Sequence, residues 1–396
     1  MKERTPYPLT TQCACMDDEG YIWMVSNMVN GLFRLDVDAG KAEYITSFEK
    51  EPMFCGSLYT KAFWYKGKMI CIPCYASNIA IYEAETGEIR YIPIRSEDYL
   101  VYFNAVLFTE EQVLLFPVIY SHFAYILNLD TESYETIPLE NSEYDSKAKD
   151  MIVQGEALCG GKAYFMIRET DIFFSFDLNT LTLEFFHSAD NYRFVTISSD
   201  GQYIYPFHAD GHSYDVYEKN AYIATRWLLS KHEKAEKIVP YEQLKYIGSS
   251  CVDGAVVNIP MRSGSLQIFQ DGHMKSISLD WKRILMVDAK IQAFHICVQR
   301  KEKLLVLPYH SCTVLEIALS APHVRYFDIS IDQSVLNGLY KKLWEQSEYK
   351  TILNESVCPL QRYLSAVEDM SPKGENEIEK QTNGSKIYDT LCARQS

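Results

Sequence analysis

The chain has 396 residues, of which 47% are hydrophobic and 23% charged, and its formal net charge is -15. This acidic balance argues against a nucleic-acid-binding protein, because binding to a phosphate backbone needs a surplus of Lys and Arg. No run of about twenty apolar residues occurs and the N-terminus has no signal-peptide pattern, so we expect a cytoplasmic protein without a membrane span.

A turn followed by a strongly apolar strand recurs seven times along the chain. The turns end at Gly20, Gly67, Glu111, Gly161, Gly201, Gly254 and Glu302, with a mean spacing of 47 residues. In each copy one apolar segment precedes the turn, and two further strand-like segments follow the apolar strand. Four strands per copy at this spacing predict an all-β fold, a seven-bladed β-propeller of four-stranded antiparallel blades over residues 1–330. Six or eight blades are the alternatives, because the blade boundaries are inferred from turns.

The apolar strand after the turn ends on proline in five copies. These prolines are Pro73, Pro117, Pro206, Pro260 and Pro308. Proline lacks the N–H that a strand ladder needs, so it belongs where a strand stops. We therefore expect each proline to mark the start of the loop between the second and third strands of a blade.

One copy carries a family resemblance. Residues 17–37, DDEGYIWMVSNMVNGLFRLDV, resemble the repeats of two-component-regulator and virginiamycin-B-lyase-like propellers. Those families share an Asp/Gly turn, a strand with Trp and a Gly-led strand that ends in Asp. The close match covers one blade, and a looser pattern covers residues 10–330. The resemblance implies the propeller fold and no catalytic residue, because propellers have unrelated activities.

Two regions depart from the repeat. Residues 230–245 form a charged insertion between blades 5 and 6. Beyond Ile331, apolar residues from Val335 to Trp344 recur at helical spacing, and Pro359 is a candidate start of a second helix. We therefore predict a helical C-terminal extension over residues 331–396, with a polar, mobile stretch at 371–385 and a last short helix at 386–392.

The loops that follow the strand-ending prolines contain candidate binding residues. In propellers these loops lie on the same face as the connections between blades, so repetition arranges their side chains around the mouth of the channel. The predicted ligand-binding residues are Tyr75, His122, Arg168, Glu169, His208, His212, Arg262, Tyr309 and His310. Arginine offers a planar fork for carboxylate or phosphate, and His and Tyr add hydrogen bonds. The alternative interpretation is that these are ordinary solvated loop residues.

Two further patterns suggest metal or redox chemistry. His208 and His212, with His310, contain enough ligands for a catalytic metal, but their spacing has a meaning only on a helix and this segment contains Gly211. Cys71 and Cys74 have the spacing of a redox or zinc pair, but Cys71 falls in a strand rather than at a helix N-terminus. We expect no metal and no cofactor, and buried, reduced thiols.

Together these features favour a binding protein over an enzyme. The expected ligand is a small polar, anionic or glycan-like molecule, or a protein partner, on the face formed by the loops between strands. The alternative is a lyase or hydrolase that acts on a glycan or peptide-like substrate, with His, Arg and Glu side chains of the loops as acid–base groups. A third possibility is a structural scaffold whose C-terminal extension recruits a protein.

Overall fold

The computed structural model describes residues 7–53, 56–94, 103–109, 111–118, 123–139, 152–168, 170–188, 191–209, 213–218, 220–227, 246–252, 255–261, 264–270, 273–284, 292–318 and 323–345. The chain divides into two compact units, residues 1–331 and 332–396. The predicted insertion at 230–245, the two predicted helices beyond Pro359 and the predicted mobile stretch at 371–385 lie outside the described residues.

The described residues contain thirty strands and one α-helix. Strand β1 (Tyr7–Pro8) precedes blade 1, which contains β2 (Thr11–Met16), β3 (Ile22–Ser26), β4 (Leu32–Asp36) and β5 (Lys41–Thr46). Blade 2 contains β6 (Tyr59–Tyr65), β7 (Lys68–Pro73), β8 (Asn78–Glu83) and β9 (Ile89–Pro93), and blade 3 contains β10 (Phe103–Phe108), β11 (Gln112–Pro117), β12 (Phe123–Asn128) and β13 (Ser133–Pro138). Blade 4 contains β14 (Val153–Cys159), β15 (Lys162–Ile167), β16 (Ile172–Asp177) and β17 (Leu183–His187), and blade 5 contains β18 (Phe194–Ser199), β19 (Tyr203–His208), β20 (Ser213–Glu218) and β21 (Ala221–Trp227). Blade 6 contains β22 (Tyr246–Val252), β23 (Ala255–Pro260), β24 (Ser265–Gln270) and β25 (His273–Ser278), and blade 7 contains β26 (Phe294–Arg300), β27 (Lys303–Pro308), β28 (Thr313–Ala318) and β29 (Val324–Asp328); β30 (Ser330–Ile331) and α1 (Gln333–Glu345) follow.

The blades form a closed ring, as predicted. Each of the seven sheets has four strands in sequence order, and every neighbouring pair is antiparallel. The first strand of each blade packs against the first strands of the blades on either side, and β2 of blade 1 packs against β26 of blade 7. These seven first strands therefore surround the central channel, and the prediction of a seven-bladed β-propeller is confirmed.

The hydrophobic core lies between neighbouring blades. Residues of β3 are buried along the whole strand, and β16 is buried up to its last residue. A strand that is buried on both faces reads as a continuous apolar run rather than an alternating one. Between blades 3 and 4 the Phe116 ring lies 4.7 Å from the Phe165 ring and 5.5 Å from the Phe174 ring. Apolar burial between blades is thus the main stabilising contribution to the ring.

Two devices join the last blade to the first. Strand β1 pairs antiparallel with β30, so that Tyr7 lies opposite Ile331. In addition, Arg300 of blade 7 donates two hydrogen bonds, of 2.9 and 2.7 Å, to the carboxylate of Asp38 in blade 1. The Arg300 Nε–H also donates to the Gly20 carbonyl at 3.1 Å. A two-pronged guanidinium–carboxylate contact has a defined geometry, so it fixes how blades 7 and 1 meet.

This contact predicts a pH dependence of stability. The hydrogen bonds and the charge of Arg300 lower the pKa of Asp38 from 3.8 to about 2. Because the pKa is lower in the folded state than in the unfolded state, the ionised carboxylate contributes stability above about pH 4, and this contribution is lost as the pH falls toward about 2. We expect Arg300→Gln to lower the melting temperature modestly at pH 7, and the difference from wild type to narrow below pH 4.

Melting curves between pH 7 and pH 3 check this expectation. The matched control is Arg34→Gln, because the 3.0 Å ion pair between Arg34 and Glu43 lies within blade 1 and joins no two blades. A difference between wild type and Arg300→Gln that stays constant over the pH range would contradict the assignment to Asp38.

The second unit begins with the helix predicted from the apolar spacing. Helix α1 spans Gln333–Glu345, and the Asp332 carboxylate accepts a 2.7 Å hydrogen bond from the Ser334 N–H at its first turn. An Asp side chain in this N-cap position satisfies a backbone donor that has no partner within the helix. Within the described part of the chain, no helix is both long and apolar enough to cross a membrane.

Candidate functional site

Every first strand is irregular near its start. The pairing between first and second strands shifts at Thr11/Cys13, Tyr59/Lys61, Phe103/Ala105, Gln154/Ala157, Phe194/Thr196, Tyr246/Gly248 and Phe294/Ile296. A bulge inserts an unpaired residue and re-aims its side chain. The start of a first strand pairs with the end of a second strand, so all seven bulges lie at the channel end where the predicted binding loops begin. We call this end the loop end of the channel.

Backbone hydrogen bonds fix the loops at this end. In five blades the N–H just beyond the second strand donates to the carbonyl of the residue just before the first strand. These bonds are Asn27 to Thr10 at 2.9 Å, and Cys74 to Leu58, Arg168 to Ile152, Ala209 to Arg193 and Tyr309 to Ala293 at 2.8 Å each. The repeated bond gives each loop the same starting point, so the loop residues occupy equivalent places around the channel.

An ion pair joins two blades at the loop end. The Lys61 ammonium of blade 2 contacts the Glu156 carboxylate of blade 4 and donates to the Val106 carbonyl of blade 3 at 3.4 Å. The two charged side chains are 27% and 32% exposed, respectively. Burial lowers the pKa of Lys61 from 10.5 to about 7, and the adjacent carboxylate acts in the opposite direction by favouring the ammonium form. The pair is therefore partly desolvated and partly exposed to solvent.

A glycine sets the position of Glu156. Gly155 adopts a φ of +72° inside strand β14, between the paired residues Gln154 and Ala157. This left-handed conformation is available to glycine at little cost and produces a bulge. A Cβ atom at position 155 would lie 2.9 Å from Ile197 Cγ2, so the site also has no room for a side chain. The backbone at Gly155 thus directs Glu156 toward Lys61.

His295 of blade 7 lies near the ion pair. Burial, followed by the charges of Lys61 and His310, lowers the pKa of His295 from 6.5 to about 4, so its imidazole is neutral at pH 7. The Gln292 amide nitrogen lies 2.8 Å from the Phe294 carbonyl and 2.9 Å from His295 Nδ1. The carbonyl can only accept, so the Gln292 atom is a donor and Nδ1 must be its acceptor. The ring proton of His295 is therefore on Nε2.

Two of the predicted loop residues lie beside His295. The Tyr309 ring centroid is 5.0 Å from that of His295 and 4.3 Å from that of His310. Tyr75 of blade 2 is 49% exposed, and Arg168 of blade 4 is half-buried beyond the end of β15. His122, Glu169, His212 and Arg262 lie outside the described residues, so their part in the predicted ring stays a prediction.

His208 occupies a different place from the one predicted. The alignment treated Pro206 as the end of the second strand of blade 5, but β19 continues to His208, which pairs with Phe194. His208 is thus equivalent to Pro73 and Pro308 and not to the loop residues that follow them. Its side chain is 0% exposed, with Nδ1 2.6 Å from Ser213 Oγ and Nε2 3.2 Å from Asp215 Oδ1. In this structure His208 belongs to a buried polar cluster within blade 5.

The two cysteines of the Cys71–Cys74 motif lie in and just beyond strand β7, and no disulfide joins them. Cys71 is fully buried in β7, in the same hydrophobic core cluster as Cys13 of blade 1. Burial raises the pKa of the Cys13 thiol well above its ordinary value, which disfavours the reactive thiolate. Among the residues that the structure describes, no three His, Cys, Asp or Glu side chains are grouped so that they could hold a metal ion.

The sequence interpretation missed Lys61, Glu156 and His295. All three lie near the start of first strands, whereas the sequence prediction places the site residues in the loops after the second strands. A signal was present in blade 4, because an isolated glycine inside a strand pattern indicates a bulge, and Gly155 directly precedes Glu156. No comparable signal marks Lys61 or His295.

The fold and the polar channel end define the chain as a seven-bladed β-propeller with titratable side chains gathered near its axis. A solved structure described as streptogramin B lyase is similar to it at 11% identity and a TM-score of 0.58, covering 81% of this chain and 96% of that one. A catalytically inactive virginiamycin B lyase from Staphylococcus aureus with quinupristin follows at 10% identity and a TM-score of 0.56, covering 80% and 96%.

YCF48 bound to a D1 peptide is similar at 9% identity and a TM-score of 0.54, covering 79% of this chain and 94% of that chain. None of the protein-family models matches this chain, and the comparison with curated proteins also finds no match. At these identities the similarities support the fold, in agreement with the resemblance to virginiamycin-B-lyase-like propellers, and carry no residue roles across.

Proposed function

We propose that this propeller is a binding protein that takes a small polar ligand at the loop end of its channel. The observation that supports this most is the gathering of Lys61, Glu156 and His295 from blades 2, 4 and 7. Ionisable groups with perturbed pKa values cluster at functional sites, and ligand sites place a few convergent polar groups in a concave position. Their partial exposure leaves them accessible from the channel.

The loops around the channel end supply the second layer of contacts. Tyr75, Tyr309 and His310 offer aromatic surfaces and hydrogen-bonding groups, and Arg168 offers a guanidinium fork for an anionic group of the ligand. A glycan-like ligand would use the same aromatic and polar groups. The similar solved structures include a lyase and a protein bound to a peptide, so the same fold is compatible with either kind of function.

The second candidate function is an enzyme of the lyase or hydrolase type. It is favoured by one observation, the pKa of Lys61, which burial lowers to about 7 beside a carboxylate and near a neutral imidazole. A base whose pKa is near the working pH is well suited to proton transfer. Chemical change of a bound ligand, followed by mass spectrometry, separates this function from simple binding.

The test is calorimetric titration and thermal shift with the full chain. The probes are the twenty amino acids, a set of neutral and acidic monosaccharides, and inorganic phosphate. We expect at least one class to bind, and Lys61→Gln to weaken its binding roughly tenfold or more, because hydrogen bonds to a charged group contribute about 1.5–3 kcal/mol.

Lys66→Gln is the matched control. Lys66 lies in the same blade, at the turn between β6 and β7, where it forms an ion pair with Asp130. This turn is at the end of the strands opposite to the predicted binding loops. Binding that is equally reduced in both variants, or reduced in neither, would contradict the proposed site.

A further inference from the structure

We propose that the ligand of the channel site is a free α-amino acid, whose carboxylate binds Lys61 and His295 and whose ammonium group binds Glu156. This inference rests on the binding function proposed above and specifies its ligand. It comes from the signs, the separation and the unused hydrogen-bonding capacity of the three side chains.

The site has both charges and no net charge. The Glu156 carboxylate in contact with Lys61 favours the ammonium form of Lys61, so the pair carries one positive and one negative charge, and His295 is neutral. A net anion would be repelled by Glu156 and by a protein whose formal net charge is -15. A net cation would be repelled by Lys61. A molecule with one charge of each sign meets no such repulsion, because it can present each charge to its opposite.

The separation of the charges selects among such molecules. The Lys61 ammonium and the Glu156 carboxylate are in direct contact. A ligand that pairs with both must therefore carry its own two charges side by side. In an α-amino acid the ammonium and the carboxylate are attached to the same carbon atom, whereas in longer amino acids they lie farther apart. The direct contact between Lys61 and Glu156 thus favours the α-amino acid.

Hydrogen-bonding capacity remains for a ligand. An ammonium has three N–H donors, and within the described residues Lys61 makes two contacts, with Glu156 and with the Val106 carbonyl. A carboxylate has about four acceptor sites, and Lys61 is the contact that Glu156 makes among the described residues. Both groups can therefore take a ligand contact while they keep their present ones.

His295 supplies the second donor to the ligand carboxylate. Gln292 is buried and bonded to the Phe294 carbonyl, so it holds the imidazole with the proton on Nε2. That N–H has no hydrogen-bond partner among the described residues. Lys61 is close enough for its charge to act on His295, so we infer that both donors can reach one carboxylate of the ligand.

The experiment compares matched ligands on the full chain by calorimetric titration. The probes are the twenty amino acids and, for the tightest of them, the analogue without the amine and the analogue without the carboxylate. Glucose and galacturonate are the neutral and acidic controls. We expect an amino acid to bind, and each analogue that lacks one charge to bind roughly ten- to hundredfold more weakly, since hydrogen bonds to charged groups contribute this much.

The variant Glu156→Gln tests whether Glu156 binds the ammonium group of the ligand. It keeps the size of the side chain and removes the charge that would bind the ligand ammonium. We expect this variant to bind the amine-free analogue at least as tightly as the amino acid, which reverses the preference of the wild type. Circular dichroism and the melting temperature show whether the variant is folded.

The outcomes separate this inference from the proposed function. If galacturonate, glucose or phosphate binds at the channel end and no amino acid does, the ligand class is wrong and the binding function stands. If an amino acid binds but Glu156→Gln keeps the wild-type preference, the orientation proposed here is wrong. If no probe of any class binds, both proposals are wrong.

Discussion

Replacement of Phe116 by alanine is expected to lower the free energy of unfolding by about 3–5 kcal/mol. Phe116 is 0% exposed and its ring contacts Phe165, Phe174 and Phe176 of the next blade at 4.7, 5.5 and 5.8 Å. Truncation removes these contacts and leaves a cavity that the surrounding strands cannot close, because each belongs to a hydrogen-bonded sheet. The loss is large against a typical total stability of about 5–15 kcal/mol.

Urea denaturation of wild type and variant measures this loss. Phe123→Ala is the matched control, because Phe123 is in the same blade and is 44% exposed at the start of β12. We expect the control to stay within about 0.5 kcal/mol of wild type, as surface substitutions usually do. Equal losses in the two variants would mean that the packing between blades 3 and 4 is not the source of the effect.

The propeller fold was predictable because its signals are local. Turn residues such as Asp200 and Gly201, and the strand-ending Pro73, Pro117, Pro260 and Pro308, recur at blade spacing, and the structure confirms these four prolines as last residues of second strands. Each signal depends on backbone chemistry that acts within a few residues. Seven repetitions of the same signals then specify the closed ring.

The predicted end of the second strand was wrong in blade 5, which departs from the pattern. Pro206 of blade 5 lies inside β19, opposite Ile197, and not at the end of the strand. Aligning on that proline moved the whole loop by two residues and placed His208 in it. The pairing of His208 with Phe194 is a property of two strands, so it could not be recognised from the second strand alone.

The channel site could not be predicted from the sequence for a related reason. Lys61, Glu156 and His295 come from three blades, and only the closed ring brings them together. A bulge is a mismatch of register between two strands, and a pattern of single residues does not contain it. The common bulge explains why unlike residues in different blades serve one site: the backbone irregularity repeats, and the side chain at that point is free to differ.

The Gly155→Ala substitution tests whether this irregularity holds Glu156 in place. The left-handed backbone at Gly155 has a φ of +72°, and an alanine there costs about 1–2 kcal/mol. The added Cβ would also lie 2.9 Å from Ile197 Cγ2 and 3.3 Å from Met166 Cγ, and such overpacking costs about 1–3 kcal/mol more. We expect a total loss of about 2–5 kcal/mol in the free energy of unfolding.

Gly67→Ala isolates the first of these two contributions. Gly67 has a φ of +78°, and a Cβ added there meets no atom within 4 Å, so the substitution introduces the backbone strain without the clash. We expect Gly67→Ala to cost about 1–2 kcal/mol and to leave ligand binding unchanged, whereas Gly155→Ala costs more and weakens binding because it moves Glu156 away from Lys61. Urea denaturation and calorimetric titration of the two variants measure both effects. Equal losses of stability together with unchanged binding would show that the bulge at Gly155 does not position Glu156.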